Sequence, residues 1–68
     1  MRAYPAFLEL RDRPVLVVGA GPVALRKLRP LLAAGARPSV VAPDAVPGIE
    51  ELARAGDIRW HRRPFRPD

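Results

Sequence analysis

The chain has 68 residues, with 12 basic and 7 acidic side chains and a formal net charge of +5. It has no cysteine, which excludes disulfides, thiolate metal sites and cysteine nucleophiles, and we therefore expect a reducing, cytoplasmic location. A chain of this length can bury one small core.

The first elements predicted along the chain are two strands joined by a polar turn. Residues 6–10 partly alternate between apolar and polar and predict a short strand, and residues 11–14 predict the turn. Val15–Val18 is an unbroken aliphatic run, which is typical of a strand buried on both faces of a parallel sheet. Its apolar run is far too short to span a membrane, so no membrane partner is expected.

A helix is predicted to begin at Pro22 and to end at Gly35. Proline suits the first helical position, and glycine commonly follows the last one. The residues expected to face the core recur at helical spacing and are Val23, Ala24, Leu28, Leu31 and Leu32. Pro30 removes one helical hydrogen bond and predicts a kink near Arg26.

The rest of the chain predicts a second strand, a short helix, a third strand and a connector. These elements are expected at residues 38–42, 47–55, 57–61 and 62–68, with Ile49, Leu52 and Ala53 facing the core and Gly56 ending the helix.

The element order β-α-β-α-β predicts an α/β fold with a Rossmann-type parallel sheet. Right-handed crossovers place the three strands in the spatial order 3-2-1. A complete dinucleotide-binding domain has two such halves. We therefore expect residues 1–68 to be the N-terminal part of an NAD(P)-binding Rossmann domain.

The sequence Gly19-Ala20-Gly21-Pro22-Val23-Ala24 fits G-x-G-x-x-A between a predicted strand and a predicted helix. Gly19 permits the sharp turn, Gly21 lets a pyrophosphate approach the backbone, and Ala24 lets the helix lie close to the strand. The helix N-terminus then favours phosphates. The alternative is a tight turn that binds no ligand.

An acidic residue is expected at the end of the second strand, where it would bind the adenosine ribose. The usual spacing falls on Ala42, and the nearest acid is Asp44. Either the Asp44 side chain or the backbone at Pro43 and Asp44 would hold the ribose, unless Asp44 only caps a loop. No arginine directly follows this strand, which favours NAD over NADP.

Other chemical sites are not indicated. His61 is interpreted as a structural or surface histidine, and no pair of acids has catalytic spacing. No cluster has the spacing of metal ligands. Trp60 and Phe65 are interpreted as core or sheet-covering residues, and their arginine neighbours are not read as a nucleic-acid surface.

Three segments in order resemble the N-terminal module of siroheme synthase, the precorrin-2 dehydrogenase family, many of whose members are also sirohydrochlorin ferrochelatases. The segments are residues 5–13 (PAFLELRDR), 15–21 (VLVVGAG) and 23–27 (VALRK), followed by further matches through Pro43. General Rossmann proteins share the glycines but not the segment before them. Pro22, where many members carry a polar residue, and Pro30 depart from the family pattern.

The resemblance implies NAD-dependent oxidation of precorrin-2, a tetrapyrrole, to sirohydrochlorin, with ferrochelatase activity in many members. It also implies nucleotide contacts at Pro22, Val23, Pro43 and Asp44, a homodimer, and a catalytic aspartate on a later strand, beyond residue 68. The 68-residue chain alone is therefore expected to be inactive. The alternatives are a non-catalytic module that senses NAD or NADH and a pseudoenzyme.

Overall fold

The computed structural model describes residues 10–66 and contains three strands and two helices. The strands are β1 (Pro14–Val18), β2 (Arg37–Val41) and β3 (Arg59–His61), and the helices are α1 (Pro22–Ala33) and α2 (Pro47–Arg54). The strand predicted at residues 6–10 falls outside the described residues except for Leu10, which lies in a turn.

The three strands form one parallel sheet in the order β1-β2-β3. Val18 of β1 pairs with Val41 of β2, and Val40 of β2 pairs with Trp60 of β3. Each pair of neighbouring strands is joined by a helix, as parallel pairing requires a long crossover. The predicted Rossmann-type α/β architecture and the 3-2-1 order are confirmed.

The core lies between the sheet and its two helices. Leu28 of α1, Val40 of β2 and Ile49 of α2 are completely buried. Small residues surround them and let the helices lie close to the strands. The other buried members of this cluster are Ala20, Ala24, Ala42 and Ile58.

The opposite face of β1 is exposed, so the expectation of a strand buried on both faces is wrong for this chain. Leu16 is 56% exposed and Val18 is 55% exposed. Two successive right-handed crossovers that move in the same direction across a sheet put both helices on the same face. No helix in residues 10–66 is therefore available to cover the second face of β1.

Helix α1 starts and stops where the sequence predicts. Pro22 is its first residue, and Gly35 (φ +82°) follows its end. The Gly35 N–H donates to the Leu32 carbonyl at 3.0 Å, and the Ala36 N–H donates to the Leu31 carbonyl at 3.0 Å. These two bonds form a Schellman cap, which favours glycine because its φ is positive.

Pro30 lies inside α1 with its ring exposed, and the helix is continuous from Pro22 to Ala33. The kink near Arg26 stays a prediction. Helix α2 is followed by Gly56 at φ +85°, as predicted, and buries Ile49 with Leu52 and Ala53 packed around the core.

Three large side chains that were expected to be buried differ in their exposure to solvent. Trp60 is half-buried against the core, as expected. Val23 is 55% exposed and Phe65 is 43% exposed, so the prediction that they pack in the core is wrong for both.

No helix within residues 10–66 is long and apolar enough to cross a membrane.

The one-sided core predicts opposite results for two leucine substitutions. Leu28→Ala should lower the free energy of unfolding by about 2–5 kcal/mol, because the side chain is fully buried. Leu16→Ala removes the same atoms from an exposed position and should cost less than about 1 kcal/mol. Urea unfolding of the two variants followed by circular dichroism measures both changes, and equal losses would contradict a core restricted to the helix side.

Candidate dinucleotide-binding site

The carboxyl ends of β1 and β2 meet at one edge of the sheet. The Gly19 N–H, just after β1, donates to the Val41 carbonyl at the end of β2 at 2.9 Å. The chain leaves each strand in a loop that leads to a helix. Both loops therefore start from fixed positions beside each other, and this edge is where ligands bind in open α/β sheets.

The first loop is the glycine turn, residues 19–21. Gly19 has φ +102°, a conformation that side chains with a Cβ rarely adopt. Gly21 has φ −93° and ψ −168°, so its backbone does not demand glycine. A Cβ placed on Gly21 would meet no atom within 4 Å. The glycine at this position therefore leaves open space above the backbone, which is what close approach of a pyrophosphate needs.

The N-terminus of α1 opens directly from this turn. Gly21 is the N-cap, and the first helical hydrogen bond runs from the Leu25 N–H to the Gly21 carbonyl at 3.0 Å. The N–H groups of Val23 and Ala24 precede that bond, so the helix offers them no acceptor. No acidic residue occupies the first turn. The positive end of the helix dipole is thus not offset by a neighbouring carboxylate, which favours an anion.

The second loop, residues 42–46, faces the glycine turn across a shared cleft. The Val46 N–H donates to the Ala20 carbonyl at 3.0 Å and ties the two loops together. The cleft has a volume of about 490 Å³ and is lined by Gly19, Ala20, Gly21, Ala42, Pro43, Asp44, Ala45 and Val46. Four of the six predicted site residues, Gly19, Gly21, Pro43 and Asp44, therefore line this one open cleft.

The other two predicted site residues line a neighbouring cleft of about 340 Å³ that also includes Gly19 and Gly21. Its lining residues are Leu16, Val17, Val18, Gly19, Gly21, Pro22, Val23, Ala24 and Lys27. Lys27 was not singled out from the sequence. Lys27 could have been predicted from its spacing, because it stands one helical turn after Val23 and so lies on the same side of α1.

The structure explains why the acid is displaced from its usual position. Ala42, where the usual spacing falls, is only 5% exposed and belongs to the core cluster. A carboxylate there would be buried in the core. Asp44 stands two residues later, is exposed, and lines the cleft. It is the acidic side chain among the cleft residues, so it is the group available for ribose hydroxyls.

The carboxyl end of β3 contacts the second loop. No residue of this strand end was predicted from the sequence to belong to the site. The Trp60 Nε1–H donates to the Ala42 carbonyl at 3.0 Å, and the Arg62 Nε–H donates to the Pro43 carbonyl at 3.4 Å. The predicted parallel order 3-2-1 already implies this contact, because it brings the carboxyl end of β3 beside that of β2.

His61, as expected for a surface histidine, is exposed at the end of β3. The open space above Gly21, the N-terminus of α1 and the carboxylate of Asp44 are suited to holding an elongated ligand that carries phosphates and a ribose.

Comparison with known families agrees with this geometry. A family model described as putative NAD(P)-binding matches residues 6–68. The chain is also similar to siroheme synthase of Sodalis glossinidius, with 46% identity over 67 residues. Siroheme synthase 3 of Aeromonas hydrophila is 51% identical over 67 residues. Each match covers 98% of this chain and 14% of the relative.

Among solved structures, SirC, a precorrin-2 dehydrogenase, superposes with a TM-score of 0.80 and 38% sequence identity. The superposition covers 85% of this chain and 29% of the SirC chain. The chain thus spans about a seventh of the length of the siroheme synthases it matches and less than a third of the solved structure.

The open space above Gly21 predicts the effect of a carboxylate there. Gly21→Asp should leave the fold intact, because a Cβ meets no atom, but should weaken NAD binding at least about tenfold through repulsion of the pyrophosphate. Isothermal titration calorimetry with NAD measures the affinity.

Ala55→Asp is the control, since it adds a carboxylate to an exposed residue with an ordinary φ of −74° at the C-terminal end of α2. Equal NAD affinity of the two variants and the wild type would sink the assignment of the glycine turn.

Proposed function

Because the chain belongs to the putative NAD(P)-binding family, we propose that residues 1–68 are the N-terminal, NAD-binding part of a precorrin-2 dehydrogenase. The observation that carries the proposal is the single edge at which the glycine turn, the N-terminus of α1 and Asp44 meet. The likeness to SirC and to the siroheme synthases supports the choice of reaction.

The residues present fit the cofactor. The space above Gly21 admits a pyrophosphate, and the N–H groups of Val23 and Ala24 supply donors at a helix N-terminus. Lys27 adds a positive charge to the adjoining cleft. NAD, when bound, supplies the acceptor for a hydride.

The chain's own residues bind and orient. Gly19 and Gly21 bring the backbone close to the phosphates, and Pro22 fixes the start of α1 at a position whose N–H would have no acceptor within the helix. Pro43 and Asp44 face the ribose from the second loop. These contacts hold the pyrophosphate and the adenosine ribose at a fixed separation along the sheet edge, which orients the bound cofactor.

The reaction of the whole protein follows from its relatives and is part of the proposal. We propose that it oxidises precorrin-2 to sirohydrochlorin in siroheme biosynthesis, with a tetrapyrrole as the substrate. The homodimer implied by the family resemblance and the cytoplasmic location expected from the lack of cysteine belong to the same proposal. The catalytic carboxylate is assigned to sequence outside this chain.

The proposed ribose contact is tested with Asp44→Asn. Loss of a charge-assisted hydrogen bond should weaken NAD binding about tenfold, and the loss should vanish for a nucleotide that lacks the ribose hydroxyls. Calorimetric titration measures both. Asp57→Asn is the control, because Asp57 is an exposed aspartate after the C-terminal end of α2. An unchanged affinity for Asp44→Asn would move the ribose contact to the backbone.

Binding and turnover should separate in the isolated chain. The 68-residue protein is expected to bind NAD but to produce no NADH from precorrin-2, because the family resemblance implies a catalytic aspartate on a later strand, beyond residue 68. The test follows NADH absorbance with enzymatically prepared precorrin-2, using a complete precorrin-2 dehydrogenase as the positive control. Steady NADH production by the isolated chain would overturn this division of labour.

A further inference from the structure

The segment that forms the second wall of the cleft is held by side chains at and just after the carboxyl end of β3. Its backbone begins at Ala42, whose N–H donates to the His61 carbonyl at 3.1 Å. Its carbonyl groups accept from two side chains of the same strand end, Trp60 and Arg62. This segment carries Pro43 and Asp44, so whatever fixes its shape also fixes the groups that face the ribose.

Trp60 is held by the core and in turn holds the backbone of Ala42. Its ring packs half-buried against the core, and its Nε1–H reaches the Ala42 carbonyl at 3.0 Å. Ala42 itself is 5% exposed. A hydrogen bond between partly buried groups costs more to leave unmade than one in water, so this bond holds the Ala42 peptide in one orientation.

Arg62 extends the same support by one residue. Its guanidinium carbon lies 5.4 Å from the centre of the Trp60 ring, within the range of a cation–π contact. From that position its Nε–H donates to the Pro43 carbonyl at 3.4 Å. The two side chains thus engage consecutive carbonyls immediately before Asp44.

We propose that Trp60 and Arg62 are positioning residues that hold the segment Ala42–Asp44 in the shape that receives the adenosine half of the dinucleotide. The inference rests on the proposed function and adds to it a role for the end of β3. Because the two side chains act through backbone carbonyls, they set the placement of Asp44 before the ligand arrives. Preorganisation of this kind raises affinity by reducing the ordering that binding requires.

The test compares ligands that represent the two halves of NAD. Trp60→Phe keeps a ring against the core and removes the N–H, and Arg62→Gln removes the stacked guanidinium. Each should weaken binding of AMP about threefold to tenfold, as expected for one lost hydrogen bond, and should leave binding of nicotinamide mononucleotide unchanged. Calorimetry of the 68-residue chain measures both affinities.

Arg63→Gln is the matched control, because it removes the same charge one residue later from a side chain that donates only to the Pro64 carbonyl. It should leave AMP binding unchanged. Equal losses for Arg62→Gln and Arg63→Gln would overturn the proposal in favour of general electrostatic attraction. Equal losses for the two ligands, or an undiminished AMP affinity, would also overturn it.

Amide hydrogen exchange without nucleotide provides a readout that does not depend on binding. In Trp60→Phe and Arg62→Gln, exchange should accelerate severalfold at Ala42 and Val46, whose N–H groups are hydrogen-bonded in this loop, but not at Val40, in the middle of β2. Acceleration at all three positions would indicate a general loss of stability and contradict a positioning role. A wild-type chain that binds no nucleotide would remove the proposed function, and the exchange rates would still decide whether Trp60 and Arg62 hold the loop.

Discussion

The parallel pairing of β1 with β2 is the constraint on which the rest of the molecule depends. It aligns Val18 with Val41, so that the last hydrogen bond of the pair, from the Gly19 N–H to the Val41 carbonyl, lies at the point where both strands end. A shift of one residue would turn every side chain of β1 to the other face. It would also separate the glycine turn from the loop that carries Asp44.

Small side chains make this pairing useful. Ala20 and Ala24 let α1 begin close to the sheet, and Ala42 lets the second loop begin within the core cluster. Gly48 has the same effect between the helices, because a Cβ there would come within 2.7 Å of the Leu25 side chain. The result is a thin structure in which the edge that carries the candidate site is formed by backbone more than by side chains.

Much of the fold could be predicted because its signals are local. The aliphatic run before Gly19, the proline at the start of α1 and the glycines after both helices each specify an element boundary through backbone chemistry. The proximity of the loop that carries Gly19 and Gly21 to the loop that carries Pro43 and Asp44 could also be predicted, since parallel strands bring their carboxyl ends to one edge. The residue-level errors concern exposure. Val15–Val18 reads as a doubly buried strand, yet whether Leu16 and Val18 are covered depends on which side each crossover takes.

The contact of β3 with the cleft illustrates the same limit from the functional side. Trp60 and Arg62 look like a core residue and a solvated charge, and the sequence separation from Ala42 and Pro43 is 18 and 19 residues. The sequence by itself determined the order of elements, the glycine turn and the displaced acid, because these follow from backbone preferences and spacing. Only the tertiary structure decided which face of the sheet is covered and which side chains support the second loop, because both depend on strands that meet in space after the chain has made its crossovers.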